Sequence, residues 1–244
     1  MFIPKELENK YIYRVVGFQK FRSMFFERRN TLVRPTLWDD PMENLLLLRG
    51  YKDEEGRLGE FVHKDRYYAQ CWSLESRSDA MWRVYAGTSK TEPGIRIRTT
   101  VGKLLRSLAS KVSFAAHQRC RVGKVKYLSD NELNSFARDL FKGRETDDAL
   151  ASAFFETFLV KRKPFEWENE VRLIYFDVMG RCGEDVFHYD WDPAEVVDQI
   201  LLSPFNCGST FQSFKDEVCA ETDFKGKILH SRLYEPPRNL RLRY

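Results

Sequence analysis

The sequence lacks the signatures of several common enzyme classes. It contains no glycine-rich phosphate loop of the Walker or dinucleotide type and no Gly-x-Ser-x-Gly elbow, which argues against P-loop enzymes, Rossmann-type oxidoreductases and α/β-hydrolases. Its four histidines are scattered and no cysteine pair has the spacing of zinc ligands. We therefore predict no metal site, and expect each lone histidine or cysteine to be an ordinary core or surface residue.

Long apolar segments and a disulfide pattern are also missing. Apolar runs such as Leu45 to Leu48 are far shorter than the ~18 residues that a membrane helix needs. The first residues, Met1 to Glu6, lack a basic region followed by an apolar stretch, so we expect no secretory signal. The five cysteines are odd in number and widely spaced, which favours reduced thiols and a cytoplasmic protein without membrane contact.

The composition is that of a folded, soluble protein. The chain has 244 residues, of which 43% are hydrophobic, 14% aromatic and 31% charged. This length and composition predict a single domain over residues 1–244 with a substantial core. Forty Lys and Arg residues against 36 Asp and Glu give a net charge of +4, which permits an anionic partner without identifying one.

Strand-like and helix-like segments are interspersed along the chain. Tyr11–Val16 and Tyr67–Leu74 are rich in β-forming residues, whereas Val101 to Val112 has its apolar residues at helical spacing. Ser129-x-x-Glu132 matches a capping box at the start of a helix. Because strands and helices do not alternate regularly, the sequence predicts an α+β fold rather than a doubly wound parallel sheet.

The segment Phe165–Leu173 is the most informative. If all of it is a strand, side-chain alternation places Glu168, Glu170 and Arg172 on one face and Trp167 on the other. One interpretation is an ordinary half-buried strand with a wet polar face. The other is a Glu-x-Glu pair directed into a cleft, where two neighbouring carboxylates perturb each other's pKa in a way that catalysis can use.

Other candidate residues lie on neighbouring segments. Ser73 ends an aromatic strand in which Trp72 faces the opposite side, and a serine there is usually only a polar strand end. Arg14 is flanked by apolar strand residues, so it is either an edge residue or a ligand for carboxylate or phosphate. Tyr85 closes a helical aromatic segment that core packing would explain, although its hydroxyl needs a partner if buried.

Taken in order, these segments resemble a bacterial domain family of unassigned function with a Tyr-Arg strand, an Asn-Asp-Pro-Phe-Glu turn and a Glu-x-Glu strand. The residues that carry the resemblance are Tyr13-Arg14, Asp39-Asp40-Pro41-Met42-Glu43, Cys71-Trp72-Ser73, Met81-Trp82-x-x-Tyr85, Gly94-Ile95-x-Ile97 and Lys163-x-x-x-Trp167-Glu168-x-Glu170-x-Arg172. That layout is similar to the arginine-serine-glutamate branch of the ADP-ribosyltransferases. The chain departs from the patterns at Asp39, at Met42 and at Ser73-Leu74-Glu75, where that branch has Ser-Thr-Ser.

The resemblance implies an ADP-ribosyltransferase-like fold, with a split antiparallel or mixed sheet and flanking helices, and NAD as co-substrate without a metal. It implies that Glu170 stabilises the positive charge on the ribose and that Glu168 orients or deprotonates the acceptor. Arg14 and Ser73 correspond to the arginine and serine that hold the nucleotide and the glutamate. By this comparison, Tyr85 or Trp72 could stack on the nicotinamide.

The acceptor and the biological role are less defined. Basic clusters, such as Arg119-Cys120-Arg121 and Lys161-Arg162-Lys163, favour a nucleic acid acceptor slightly over a protein. The resemblance implies a toxin-like transferase, in phage defence and restrained by an antidote protein. Two alternatives stay open: an NAD glycohydrolase, and a non-catalytic nucleic-acid-binding module.

Overall fold

The computed structural model describes residues 2–38, 40, 43, 50–52, 56–59, 64–89, 92–112, 119–144, 146–180, 182–206 and 208–236. It contains helices together with a sheet whose strand pairs are mostly antiparallel, which confirms the predicted α+β class. Among the described helices, none is both long enough and apolar enough to cross a membrane.

Thirteen strands and seven α-helices are named here in chain order. The strands are β1 (Tyr11–Gly17), β2 (Arg29–Val33), β3 (Tyr51–Lys52), β4 (Leu58–Gly59), β5 (Tyr67–Ser73), β6 (Gly94–Thr100), β7 (Cys120–Lys124), β8 (Lys126–Leu128), β9 (Val160–Arg162), β10 (Glu170–Phe176), β11 (Val186–Asp190), β12 (Gln199–Leu202) and β13 (Lys227–His230). The helices are α1 (Phe18–Phe25), α2 (Asp79–Tyr85), α3 (Val101–Ala109), α4 (Asp130–Asp139), α5 (Asp147–Thr157), α6 (Pro193–Val196) and α7 (Gly208–Glu221).

The chain divides into two compact units. The first comprises Met1–Ile12, Arg29–Glu75 and Thr100–Trp191, and the second comprises Tyr13–Arg28, Ser76–Thr99 and Asp192–Tyr244. Each unit is therefore built from separate stretches of sequence, and β1 runs from the first into the second. The single domain over residues 1–244 stays a prediction.

In the first unit, the sheet has the order β11-β2-β5-β10-β7. β10 is its inner strand, antiparallel to β5 on one side and to β7 on the other. The short strands β8 and β9 form a separate parallel pair, with Tyr127 beside Lys161. Helix α5 packs Phe155 against Tyr67 and Ala69 of β5, so this helix covers one face of the sheet.

In the second unit, β12 pairs antiparallel with β6 and parallel with β13. Its core includes Val15 of β1 together with Met81 and Trp82 of α2, which agrees with the core packing expected for that aromatic segment. Ser78 caps α2 by accepting a hydrogen bond from the backbone N–H of Met81 at 3.2 Å.

Several sequence-predicted elements are confirmed. β1 and β5 lie where strands are predicted, and Ser129 with Glu132 forms the predicted capping box of α4. The predicted turn at Asp39-Asp40-Pro41 is described only at Asp40, and its other two residues lie outside the described part of the chain.

The prediction of one continuous strand through Phe165–Leu173 is wrong in its first half. Residues Lys163–Glu168 form a 3₁₀ helix, and the strand begins only at Glu170. Pro164 has a fixed φ and no N–H, which suits the first turn of a helix. Asn169 ends that helix in the left-handed conformation, with φ 45°, a conformation that asparagine tolerates better than most residues.

Candidate active site

One face of the β5–β10 pair changes from apolar to ionic along its length. The residues that face each other across the two strands are, in order, Tyr67 and Phe176, Ala69 and Ile174, Cys71 and Arg172, and Ser73 and Glu170. The first two pairs belong to the apolar core under α5. The last two pairs place a serine and a glutamate side by side at the end of both strands.

Glu170 is buried and ionically paired. It is 5% exposed, and its two carboxylate oxygens accept hydrogen bonds from different cations, Oε1 from Lys161 Nζ at 2.7 Å and Oε2 from Arg172 Nε at 2.7 Å. Burial by itself raises the pKa of this carboxyl, but the Arg172 charge and the hydrogen bonds to the carboxylate outweigh it and hold the pKa well below its usual range. Glu170 is therefore ionised at neutral pH.

Glu168 contacts the same lysine as Glu170, although it does not belong to strand β10. Although it belongs to the 3₁₀ helix, its carboxylate accepts a short hydrogen bond from Lys161 Nζ, so Lys161 joins the two glutamates. Burial and the neighbouring Glu170 raise the pKa of Glu168 to about 7. Two carboxylates on one ammonium thus differ widely in proton affinity.

Ser73 connects the strand end to the 3₁₀ helix. Its hydroxyl donates to the backbone carbonyl of Glu168 at 2.6 Å and accepts from the backbone N–H of Glu75 at 2.9 Å. Next to it, the N–H of Leu74 donates to the carbonyl of Asn169 at 2.9 Å. These bonds hold the carbonyl groups of Glu168 and Asn169, so Ser73 acts on Glu168 through its main chain.

Three other residues complete the surroundings of the two glutamates. Arg172, completely buried, also donates to the carbonyl of Phe158 at the end of α5 at 2.9 Å and lies over the Trp38 ring at 4.3 Å from its centre. The Tyr127 hydroxyl accepts from the backbone N–H of Glu170 at 2.8 Å. Glu43 is ion-paired with both Lys161 and Arg172.

The structure brings together three of the six residues predicted for the site, Ser73, Glu168 and Glu170. Trp72 lies on the opposite face of β5, is 2% exposed and donates its indole N–H to Gln70 at 2.7 Å, so its ring is packed inside the first unit. Arg14 is half-buried on β1 in the second unit, and Tyr85, at the end of α2 in the same unit, is 44% exposed. The nucleotide-binding roles of Arg14, Tyr85 and Trp72 stay predictions.

Sequence reasoning gave no role to Lys161, Arg172 or Glu43. Each of them lies in a segment that carries the family resemblance or a basic cluster, but nothing in the sequence spacing shows that the three side chains meet. Of these three residues, Arg172 was the easiest to assign to the site from sequence, because the alternation of side chains along a strand places it on the same face as Glu170. Within the part of the chain that the structure describes, no group of three or more His, Cys, Asp or Glu is arranged to hold a metal ion.

No protein-family description matches the chain, and no curated protein does. Among solved structures, the chain is similar to DarT of Thermus sp. 2.9 in complex with NAD+, with 10% identity, a TM-score of 0.41 and coverage of 95% of this chain and 98% of that chain. The complex of the same protein with ADP-ribosylated single-stranded DNA gives 10% identity and a TM-score of 0.40 over 93% and 95% of the two chains. A likeness of this size does not assign an activity to the chain.

Proposed function

We propose that this protein is an NAD-dependent ADP-ribosyltransferase that cleaves the nicotinamide–ribose bond and transfers ADP-ribose to a macromolecule. The observation that supports it best is the pair Glu168 and Glu170, which share Lys161 but differ widely in proton affinity, beside Ser73 on the facing strand. Carboxyl groups whose environments separate their pKa values are suited to different roles in one reaction. The motif order of the sequence points to the same chemistry.

Glu170 supplies the fixed negative charge. When the bond between ribose C1′ and the nicotinamide nitrogen breaks, the electron pair leaves with neutral nicotinamide and positive charge develops on the sugar ring. An ionised carboxylate held in place by Lys161 and Arg172 stabilises that charge without reorganising. Each carboxylate oxygen has two lone-pair sites, so the oxygens that bind the cations keep acceptor capacity for a ribose hydroxyl.

Glu168 supplies the base. The acceptor oxygen or nitrogen forms a bond with C1′ and must lose a proton, which Glu168 takes up. A base is most effective when its pKa lies near the working pH, and the pKa of Glu168 is raised to about 7. We therefore expect transfer to increase with pH through this range.

The remaining assignments extend the proposal to the nucleotide. Arg14 would hold the pyrophosphate or a ribose through its planar guanidinium group, and Tyr85 would contact the nicotinamide. Ser73 keeps Glu168 in place through the carbonyl bond already described. Loss of the Arg14 charge would then raise the KM for NAD more than it lowers kcat.

A nucleic acid is the acceptor that we favour, with protein as the competitor. Lys124 and Lys126 are exposed on β7 and β8, next to the strand that carries Glu170, and such residues can neutralise phosphates. We further propose a cytoplasmic, toxin-like role in phage defence with an antidote protein. These points rest on the sequence resemblance and the basic clusters.

The test is to incubate the protein with NAD labelled in the ADP-ribose part, alone and with RNA, DNA or cell lysate. We expect label transfer that falls at least ~100-fold in Glu170→Gln, the loss typical of removing one preorganised charge contact. Glu166→Gln is the matched control, because Glu166 is an exposed carboxylate of the same 3₁₀ helix. It should keep full activity.

Other outcomes separate the alternatives. Free nicotinamide without label transfer, again lost in Glu170→Gln, indicates an NAD glycohydrolase. No NAD consumption by the wild-type protein under any condition, with salt-sensitive nucleic acid binding intact, contradicts both enzyme hypotheses and favours a binding module. Circular dichroism of each variant shows whether lost activity reflects lost folding.

A further inference from the structure

Glu43, Lys161, Glu170 and Arg172 form a closed ring of alternating charge. Glu43 Oε1 lies 3.1 Å from Lys161 Nζ, and its other oxygen accepts a short hydrogen bond from Arg172 Nη2. Glu170 makes the corresponding pair of contacts, with Lys161 through Oε1 and Arg172 through Oε2, both at 2.7 Å. All four side chains are buried.

Glu168 is a third carboxylate beside the two of the ring, Glu43 and Glu170. Two acids and two bases make the ring neutral, and Glu168 then binds Lys161 as an additional acid, so the buried group has one negative charge more than positive. The titratable or charged groups against Glu168 are Lys161 of β9, Glu170 of β10 and Tyr127 of β8. Around Lys161 and Glu170 lie, in turn, Glu43 of the turn after β2, Cys71 of β5 and Arg172 of β10. Lys161 and Arg172 are the cations of this set, and both already contact two carboxylates of the ring.

We propose that Glu43 is a positioning residue that makes Glu168, rather than Glu170, the carboxyl that takes up and releases the proton. Glu43 contacts both Lys161 and Arg172, so its negative charge offsets part of their positive charge. Without Glu43, that positive charge would stabilise an ionised Glu168. Glu170, which contacts both cations, keeps its negative charge for the ribose. This inference rests on the proposed function.

The turn that carries Glu43 is held against the site from two directions. Asp40 of the same turn pairs with Arg162 through two contacts, Oδ1 to Nη2 at 3.1 Å and Oδ2 to Nε at 3.3 Å. Trp38 packs on the Arg172 guanidinium group. The backbone N–H of Glu43 donates to the Asp40 carbonyl at 3.0 Å, so Glu43 is tied to this anchored residue as well as to Lys161 and Arg172.

Removal of the Glu43 charge should lower the pKa of Glu168. In Glu43→Gln the ring carries one positive charge more, and Glu168 takes the place of the missing carboxylate as a partner of that charge. Its ionised form is then favoured, so its pKa falls. In the variant Lys161 has one carboxylate fewer in contact with it, and an opposite charge within about 4–6 Å typically lowers a carboxyl pKa by about 1–3 units. The rising limb of the rate against pH should move down by about one pH unit, which is a tenfold higher rate on that limb.

The experiment follows the glutamate carboxyl carbons of the full-length protein by ¹³C NMR between pH 5 and 8, with the rate of NAD consumption measured in parallel. In the wild-type protein we expect Glu168, assigned by its absence in Glu168→Gln, to titrate near pH 7, while Glu170 stays ionised. In Glu43→Gln the Glu168 titration should move down by about one pH unit. Glu166→Gln removes an exposed acid of the 3₁₀ helix that carries Glu168, outside the ring, and should leave the titration in place.

Each outcome decides a separate point. An unchanged Glu168 titration in Glu43→Gln overturns the role of Glu43, as does a wild-type Glu168 that titrates in the ordinary range of a glutamate. The second result needs no Glu43 variant, so it holds even if Glu43→Gln does not fold. Glu43→Asp, which keeps the charge, should retain the wild-type pH limb. If the wild-type protein consumes no NAD, the proposed function fails, whereas the NMR titration still decides whether Glu43 controls Glu168.

Discussion

Strand β5 carries a buried polar network on each of its two faces, and the two are built from different chemistry. On one face, Gln70 donates to Asn30 at 2.6 Å and accepts from the Trp72 indole at 2.7 Å, while Asn30 donates to the Tyr189 hydroxyl at 2.8 Å. These groups are neutral amides, an indole and a phenol. On the other face, next to Cys71 and Ser73, lies the ionic cluster around Glu170.

The difference shows how burial acts on the two kinds of group. Neutral groups that all find partners specify one arrangement of β2, β5 and β11, and they change no charge between pH 5 and 8. The ionic cluster holds three carboxylates against two cations, and burial together with the neighbouring Glu170 raises the pKa of Glu168. Stability does not need such an excess charge, whereas proton transfer does.

The largest expected effect comes from Arg172→Met, which tests whether the ionic cluster depends on complete pairing. This change leaves Glu43 and Glu170 buried with Lys161 as their remaining shared cation. We expect the free energy of unfolding to fall by about 3–5 kcal/mol, as when one partner of a buried ion pair is removed. Urea unfolding at pH 7 measures it.

Arg144→Met is the control for this prediction. Arg144 also makes two contacts of 2.9 Å with a glutamate, Glu156, but both side chains of the pair are partly exposed. Its loss should cost about 1 kcal/mol or less. If the two variants are equally stable, burial does not distinguish the Arg172 cluster from a surface pair.

The second effect is a pH dependence that belongs to the ionic face alone. Because the pKa of Glu168 is raised from 4.5 to about 7, the folded protein holds a proton that the unfolded chain has released over this range. The free energy of unfolding therefore falls as pH rises from 4.5 through 7, by up to about 3 kcal/mol. Glu170 acts in the opposite sense, since its lowered pKa gives stability that is present above pH 4.5 and lost as pH falls below it.

Glu168→Gln isolates this contribution. Urea unfolding of the wild-type protein and the variant at pH 5 and pH 8 should show that the variant loses less stability with rising pH. Two curves that stay parallel across the range would mean that Glu168 titrates in the folded protein as it does in the unfolded chain.

The smallest effect is expected on the neutral face, for Gln70→Leu. The change removes the acceptor of the Trp72 indole and the donor to Asn30 and to the Thr31 carbonyl. Buried polar groups left without a partner cost about 1–3 kcal/mol, so we expect the free energy of unfolding to fall by about 2 kcal/mol. The pH dependence of NAD consumption should stay as in the wild-type protein, and a shifted pH limb would show that the two faces are coupled.

The facing of the side chains was predictable from sequence where local rules decide the structure. The alternation of β5 correctly separates Ser73 from Trp72, because successive side chains of a strand point to opposite faces. The same rule failed for Glu168. Pro164 and Asn169 interrupt the strand pattern, and a 3₁₀ helix followed by a left-handed residue carries Glu168 to the ammonium group that also binds Glu170.

The sequence by itself determined the α+β class, strand β5, helix α3 with the start of helix α4, and the presence of two glutamates two residues apart in the Glu-x-Glu segment. These follow from side-chain periodicity, capping residues and composition, which act over a few neighbouring positions. Only the tertiary structure decided that Glu43, Lys161 and Arg172 surround the two glutamates, since these residues come from separate elements that meet through strand pairing and burial. The tertiary structure also decided the proton affinities of Glu168 and Glu170, because a pKa depends on the charges and solvent around a group and not on its place in the chain.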